Sequence, residues 1–168
     1  WIVMSGRLGE CSEMSISRFF PELGRATPRY GGRMVALQDI RDRFAEFRPD
    51  SDSVAGSEAH RAAVAVVLRD REQGPEMLFI ERATRSGDPW SGHMAFPGGR
   101  LESGDETPRA AAERETHEEV GLALDGADYL GELGDLRGHR RFRQSRLVVS
   151  AHVFIAQNPG PVDLDVSE

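Results

Sequence analysis

The sequence predicts a single α/β domain, in which strands alternate with helices along the chain. Its 168 residues, 39% of them hydrophobic, suffice for one core but hardly for two. Short apolar runs, typical of buried strands, are separated by segments with helical periodicity. No internal repeat or low-complexity tract indicates a solenoid.

The first 33 residues mix Gly, Arg, Ser and Pro without sustained periodicity, and we expect them to form a poorly ordered leader. The domain proper is then expected over residues 34–168. It opens with a short amphipathic helix, because apolar residues recur at near-helical spacing until Pro49 ends the pattern. These apolar residues are Val35, Leu37, Ile40, Phe44 and Phe47.

Four apolar segments predict strands. Ala62–Leu68 is a continuous apolar run bounded by charged residues, which indicates a buried strand. The turn at Gly74-Pro75 separates it from Met77–Ile80, so we expect these two strands to be neighbours. Tyr129–Leu133 and Leu147–Ile155 are the later strand candidates.

A second helix is predicted over Pro108–Val120. Thr107 is a favourable N-cap, and Pro108 suits the first helical position. The alanine-rich sequence that follows has high helix propensity, and Gly121 is a typical helix-ending residue. Both ends of this helix are therefore expected from local sequence alone.

The composition excludes several kinds of function. All 21 basic residues are arginines, which excludes Schiff-base lysines and lysine-dependent phosphate loops. The net charge of −7 argues against nucleic acid and anionic membranes as partners. Cys11 is the single cysteine, so no intramolecular disulfide can form. No apolar run approaches the roughly 20 residues of a transmembrane helix. We expect a cytoplasmic protein that binds a small molecule.

Three carboxylates are predicted on one face of the second helix. Glu115, Glu118 and Glu119 stand at positions i, i+3 and i+4, so their side chains are neighbours. Like charges at this spacing destabilise a helix unless solvent or a cation offsets them. Oxygen ligands of this kind suit Mg²⁺ or Mn²⁺. The alternative interpretation is a solvated acidic face.

Other residues stand at fixed distances around this triplet, between the Gly98-Gly99 turn and the end of the helix. They are Glu106, Arg114, Glu115, Glu118, Glu119, Gly121 and Leu122. Together they resemble the Nudix box, in which a Gly, five residues and a Glu precede seven residues and then Arg-Glu, two residues and Glu-Glu. Six residues separate Gly99 from Glu106, and Thr116 occupies a position that is apolar in the family. We assign the extra residue to the loop ahead of Glu106, where it leaves the carboxylate spacing unchanged.

The resemblance implies a Nudix-type α/β/α sandwich with a mixed sheet, and a set of residue roles. Glu115, Glu118 and Glu119 would bind Mg²⁺ or Mn²⁺, together with the carbonyl of Gly98 or Gly99. Glu118 would activate water, and Glu115 would share the catalytic role. Which carboxylate is the base differs among family members, and a base from a later loop is the alternative.

The resemblance also implies an ion pair between Glu106 and Arg114, which would hold the loop against the helix. The implied reaction is the attack of water on one phosphorus of a diphosphate, assisted by the divalent cation. The substrate would be a small nucleoside diphosphate derivative.

The residues Gly92–Gly99 resemble a stretch of the coenzyme A pyrophosphatase branch of the family. Asp88 stands where that branch has an arginine. Despite this difference, the resemblance of Gly92–Gly99 makes coenzyme A or an acyl-CoA the first substrate hypothesis. Its products would be adenosine 3′,5′-bisphosphate and phosphopantetheine. ADP-ribose, NADH, dinucleoside polyphosphates and nucleoside triphosphates are the alternatives, as is a non-catalytic nucleotide-binding domain.

An arginine-rich loop between the last two predicted strands is a candidate for substrate contacts. Arg140, Arg141 and Arg143 could bind phosphates, and Trp90 could stack on an adenine. The alternative is a solvated loop and a ring packed in the core.

Family members continue beyond a segment like Gly160–Glu168 into a further strand and a helix. We therefore expect the domain to be short at its C-terminus, with an uncovered sheet edge. A partner chain, such as the second copy of a homodimer, would cover it.

Overall fold

The computed structural model of the chain describes residues 2–7, 35–49, 60–71, 74–82, 92–137 and 147–156. They form seven strands and two helices. The strands are β1 (Ile2–Arg7), β2 (His60–Arg69), β3 (Glu76–Glu81), β4 (Met94–Ala95), β5 (Gly98–Arg100), β6 (Asp128–Arg137) and β7 (Leu147–Ile155). The helices are α1 (Leu37–Glu46) and α2 (Pro108–Val120).

All seven strands belong to one mixed sheet, in the order β1-β3-β2-β7-β6, with β4 beside β3 and β5 beside β2. β2 and β7 pair in parallel from His60↔Leu147 to Leu68↔Ile155, whereas the other pairs are antiparallel. The predicted mixed sheet of an α+β fold is confirmed. Residues 2–7 differ from the expectation of a poorly ordered leader, because they pair with β3 as strand β1. The rest of the leader lies outside the described residues.

α2 covers one face of the sheet. Because side chains alternate along a strand, Ala63, Ala65 and Val67 of β2 share this face and are buried against α2. Ala111 and Ala112 of α2 are fully buried in the same cluster. Small side chains on both sides of this contact bring the helix backbone close to the sheet.

The predicted ends of α2 are confirmed. The Thr107 hydroxyl accepts a hydrogen bond from the Ala110 N–H at 3.1 Å. At the other end Gly121 adopts the left-handed conformation, with φ 66°, and its N–H donates to the His117 carbonyl at 2.9 Å. These caps fix both ends of α2 and therefore the position of its carboxylates along the sheet.

α1 covers the opposite face, where Leu37 is buried with Val66 and Leu68 of β2 and Ile155 of β7. The helix predicted from Val35 onward is thus observed over a slightly shorter range. Helices on both faces give the layered arrangement that the sequence indicates. Within the described part of the chain, neither helix is long and apolar enough to cross a membrane.

Candidate active site

Glu119 lies against Gly98 and Gly99, which the sequence predicted as a turn but which begin strand β5. Its Oε2 accepts a hydrogen bond from the Gly98 N–H at 2.9 Å. Burial raises the pKa of this carboxyl from 4.5 to about 7, although the Gly98 hydrogen bond and the charge of Arg82 oppose the shift. A nearby cation would therefore stabilise the ionised form of Glu119.

Glu115, one helical turn before Glu119, lies against Gly99. A Cβ at Gly99 would lie 2.3 Å from Oε1 of Glu115 and 2.6 Å from Oε2. Burial raises the pKa of Glu115, and the adjacent guanidinium of Arg114 opposes this shift. The absence of a side chain at Gly99 thus allows the carboxylate to approach the backbone closely.

Gly98, the residue before Gly99, must be a glycine because of a different contact. A Cβ at Gly98 would lie 2.3 Å from the carbonyl oxygen of Ala63 in β2. Ala63 and Gly99 pair across the β2–β5 ladder, and the Ala65 N–H donates to the Pro97 carbonyl at 2.9 Å. The start of β5 is therefore paired with the central strand β2 and also contacts two carboxylates of α2.

Arg114 binds Asp105, not Glu106 as the sequence predicted. Its Nε lies 3.1 Å from Oδ1 of Asp105 and its Nη2 lies 3.0 Å from Oδ2. The Glu102 N–H also donates to Oδ2 at 2.8 Å. These hydrogen bonds, that of Arg114 foremost, lower the pKa of Asp105. Glu106 is exposed.

A second count of the loop explains this difference. Five residues separate Gly99 from Asp105, which is the family spacing, and the extra residue then falls between Asp105 and Arg114. The insertion is therefore placed after the acidic partner of Arg114 and not ahead of it. The sequence permits either spacing. The structure selects Asp105 over Glu106 as the partner of Arg114, because the side chain of Asp105 is the one buried beside the helix.

Glu118 is paired with Arg114 and is largely exposed. Its side chain is 55% exposed, and its Oε2 lies 2.9 Å from Nη1 of Arg114. Among the described residues, no three acidic or histidine side chains converge closely enough to enclose a metal ion. In donor chemistry, however, Glu115, Glu119 and the glycine carbonyls fit a hard divalent cation, and Glu118 would join them by leaving Arg114.

Several predicted substrate contacts are not placed. Trp90, Arg140, Arg141 and Arg143 lie outside the described residues, as does Asp88. The sequence analysis also missed two residues of the site, Asp105 and Arg82. The signal for Arg82 is its position two residues after Ile80, on the same side of a strand.

The Nudix domain family model matches residues 59–168. The chain belongs to the Nudix family. It is 34% identical over 127 residues to the uncharacterized protein C14C4.10c of Schizosaccharomyces pombe, covering 64% of this chain and 39% of that protein. It is 36% identical over 99 residues to the uncharacterized Nudix hydrolase NudL of Enterobacter sp. (strain 638), covering 59% of this chain and 50% of that protein. The chain thus spans half or less of the length of these two relatives.

Solved Nudix structures share the fold. An Ap4A hydrolase of C. elegans, in a binary complex, superposes with a TM-score of 0.52 at 22% identity, over 64% of this chain and 73% of that chain. A MutT/nudix family protein from Enterococcus faecalis superposes with a TM-score of 0.50 at 17% identity, over 77% and 47% of the two chains. At these identities the likeness concerns the Nudix fold alone.

Proposed function

We propose that this Nudix domain hydrolyses a diphosphate bond in a nucleoside diphosphate derivative and depends on Mg²⁺ or Mn²⁺. The observation that carries the proposal is the contact of Glu115 and Glu119 with Gly98 and Gly99 of β5. Two partly buried carboxylates beside main-chain carbonyls, brought together by the family's box, suit the binding of a divalent cation. Family membership supports hydrolysis of a phosphorus anhydride.

Each residue has a role in this proposal. Glu115, Glu119 and the Gly99 carbonyl hold the cation, and Glu118 is the further ligand or the base. When bound, the cation lowers the pKa of a water molecule and offsets the charge of the phosphates. The water oxygen bonds to one phosphorus as its proton passes to Glu118, and the bond from that phosphorus to the bridging oxygen breaks.

Arg114 is proposed as a positioning residue. Its contacts with Asp105 fix the guanidinium at one side of α2, where it also reaches Oε1 of Glu115 at 3.1 Å. The ion pair with Glu118 holds that carboxylate near the site while leaving it exposed to water. Asp105 thereby takes the structural role that the sequence assigned to Glu106.

Coenzyme A or an acyl-CoA is the substrate that we propose first, with adenosine 3′,5′-bisphosphate and phosphopantetheine as products. Its support is the Gly92–Gly99 motif. In the structure part of this motif has a packing role, since Phe96 stacks on Phe79 with ring centroids 4.9 Å apart and Pro97 is buried. Arg140, Arg141, Arg143 and Trp90 are proposed as further substrate contacts. We also propose that residues 34–168 make up the Nudix domain, to whose sheet residues 2–7 add strand β1, and we propose a cytoplasmic location and a homodimer.

The test is product analysis after incubation with Mg²⁺ or Mn²⁺ and coenzyme A, NADH, ADP-ribose, a dinucleoside polyphosphate or a nucleoside triphosphate. Glu118→Gln is expected to lower turnover by about 10²- to 10⁴-fold. Glu113→Gln is the matched control, because Glu113 lies on the same helix and pairs with Arg109. Preferred cleavage of another diphosphate contradicts the coenzyme A proposal only. The absence of turnover in folded protein contradicts the hydrolase.

A nucleotide-binding domain without catalysis is the second candidate. It is favoured by two observations: Glu118 is paired with Arg114, and no three acidic or histidine side chains of the described residues converge on a metal position. Such a domain would show a rise in melting temperature with nucleotide and Mg²⁺ but no products. Turnover of any member of the panel excludes it.

A further inference from the structure

The guanidinium of Arg109, in the first turn of α2, lies over the ring of Tyr129 on β6. Its Cζ is 4.2 Å from the centroid of that ring and 5.8 Å from the centroid of the Phe154 ring on β7. A cation within about 6 Å of an aromatic face is attracted by the ring. The contact therefore ties the N-terminal turn of α2 to strands β6 and β7.

The Tyr129 ring is itself held by two neighbours. Its hydroxyl lies 3.0 Å from Nδ1 of His152, which is only 3% exposed. Its ring centroid lies 5.2 Å from that of Phe154, which is fully buried. Because both neighbours are buried residues of β7, the ring offers Arg109 a surface with a fixed orientation.

The stability of α2 alone does not explain an arginine at position 109. Arg109 is the second residue of the helix, directly after Pro108. A positive charge in the first turn is unfavourable, because the helix dipole is positive at this end. The ion pair of Arg109 with Glu113 at 2.7 Å is partly exposed to solvent, and such i,i+4 pairs contribute little to stability. The tertiary contact with Tyr129 therefore accounts for the arginine.

Arg109 and the carboxylates of the candidate site lie on opposite flanks of α2. Glu115 and Glu119 approach the two glycines at the start of β5. β7 pairs along one whole edge of β2, so β5 lies on the other edge. Arg109 stands six residues before Glu115, which places the two about 120° apart around the helix axis. A rotation of α2 that moves one flank toward the sheet therefore moves the other flank away.

The surface between these flanks resists such a rotation only weakly. In its first turns α2 meets the sheet through Ala111 and Ala112, which are fully buried with Ala63 and Ala65 of β2. Side chains form the ridges that hold a packed helix against its neighbour, and a methyl group forms only a shallow ridge. The contacts at the two flanks therefore determine the rotation of α2 about its axis.

We propose that Arg109 is a positioning residue: held on Tyr129, it sets the rotation of α2 and so keeps Glu115 and Glu119 against β5. This inference rests on the proposed function, because it concerns the placement of the carboxylates that would bind the cation. The competing interpretation is that Arg109 only stabilises the fold by covering an aromatic ring. Only the first interpretation predicts a change at β5 in a folded variant that lacks Arg109.

The first measurement needs no metal. The Gly98 N–H donates to Oε2 of Glu119 at 2.9 Å, so its amide proton resonance reports the contact between α2 and β5. In Arg109→Ala this resonance is expected to shift upfield, toward its position in Glu119→Ala, where the acceptor is removed. Alanine has the highest helix propensity, so the substitution does not weaken α2 itself. The Gly121 N–H, bonded to the His117 carbonyl within α2, is the internal reference and is expected to keep its shift.

The second measurement is the affinity for Mn²⁺, by paramagnetic resonance. Arg109→Ala is expected to weaken Mn²⁺ binding by about threefold to tenfold, as for the loss of one contact between a cation and a ring. Arg109→Lys keeps the charge but not the planar stacking, so it is expected to fall between Arg109→Ala and the wild type. Tyr129→Leu removes the ring and is expected to act as Arg109→Ala does.

Glu113→Gln is the matched control. It removes the ion-pair partner of Arg109 on the same helix but leaves the contact with Tyr129. The Gly98 resonance and the Mn²⁺ affinity are both expected to stay as in the wild type. Melting temperatures of all variants identify any loss of folding, and Arg109→Lys tests the proposal should Arg109→Ala not fold.

Two results would overturn the inference. The first is a folded Arg109→Ala variant whose Gly98 resonance matches that of the wild type, or whose Mn²⁺ affinity does, because Arg109 would then only stabilise the fold. The second is an equal change in Glu113→Gln, which would assign the effect to the ion pair. The Gly98 resonance is measured without metal, so a protein that shows the expected shift but binds no Mn²⁺ contradicts the proposed function alone.

Discussion

Arg114 donates two hydrogen bonds to the carboxylate of Asp105, from Nε at 3.1 Å and from Nη2 at 3.0 Å. The Asp105 side chain is only 6% exposed, so little water is available to replace Arg114. Asp105→Asn is therefore expected to lower the free energy of unfolding by about 1–3 kcal/mol. Urea denaturation measures this difference.

Glu106→Gln is the matched control for that variant. Glu106 is the adjacent residue and is exposed, so its replacement is expected to change stability by no more than about 0.5 kcal/mol. A larger loss for Glu106→Gln than for Asp105→Asn would restore the pairing that the sequence suggested.

The same contact predicts a dependence of stability on pH. Hydrogen bonds from Arg114 and from the Glu102 N–H hold the pKa of Asp105 below its ordinary value of 3.8. A group whose pKa is lower in the folded state stabilises the protein above its unfolded pKa, and this contribution is lost as pH falls through the folded value. The difference in stability between wild type and Asp105→Asn should therefore shrink below about pH 4. A constant difference down to pH 2 would contradict it.

The close approach of Glu115 predicts the effect of filling Gly99. In Gly99→Ala the new methyl group would lie 2.3 Å from a carboxylate oxygen, so Glu115 must move away from β5. We expect weaker Mn²⁺ binding and a loss of about 1–3 kcal/mol in stability. Gly104→Ala is the control, since a Cβ there meets no atom within 4 Å. Equal Mn²⁺ affinities for the two variants would argue against Glu115 as a ligand.

The raised pKa of Glu119 predicts proton release on metal binding. With a pKa of about 7, this carboxyl is half protonated at neutral pH in the metal-free protein. Because a ligand carboxyl must be ionised, Mg²⁺ binding at pH 7 should release roughly half a proton from it. Calorimetry in buffers of different ionisation enthalpy counts the protons. Release that persists in Glu119→Gln would assign it to another group.

A buried histidine on β7 predicts a second pH effect. His152 Nδ1 lies 3.0 Å from the Tyr129 hydroxyl, and burial, together with the charge of Arg109, lowers the pKa of its imidazole. Below about pH 6.5 the unfolded chain takes up a proton that the folded one resists, so stability should fall as pH decreases. Denaturation at pH 8 and pH 5 should show a smaller difference for His152→Asn than for wild type. Tyr129→Phe keeps the imidazole and should retain the pH effect.

The sequence predicts those parts of the fold that depend on local interactions. α2 could be bounded by Thr107 and Gly121, because an N-cap and a left-handed glycine act within one turn. β7 likewise matches its predicted range, Leu147–Ile155, since its apolar run is continuous. The order of the strands could not be derived in this way, because the parallel pairing of β2 with β7 joins distant segments.

In the candidate site, too, local spacing is predictable from the sequence, whereas side-chain pairing is not. The spacing of Glu115, Glu118 and Glu119 predicts that they are neighbours on α2, but not that Arg114 turns Glu118 toward itself. Rotamers of exposed side chains depend on competing partners, and the sequence does not rank them. The choice of Asp105 over Glu106 depends on which acid the loop buries, and this is a tertiary property.

The parallel pairing of β2 and β7 also determines when the sheet can form during synthesis. Leu147 lies 87 residues after its partner His60, so the central ladder closes late and at a large entropic cost. Until β7 leaves the ribosome, Val66, Val67 and Leu68 of β2 lack the strand that pairs beside them. The domain is therefore expected to fold largely after translation of residue 155, with an apolar nascent strand exposed to chaperones until then.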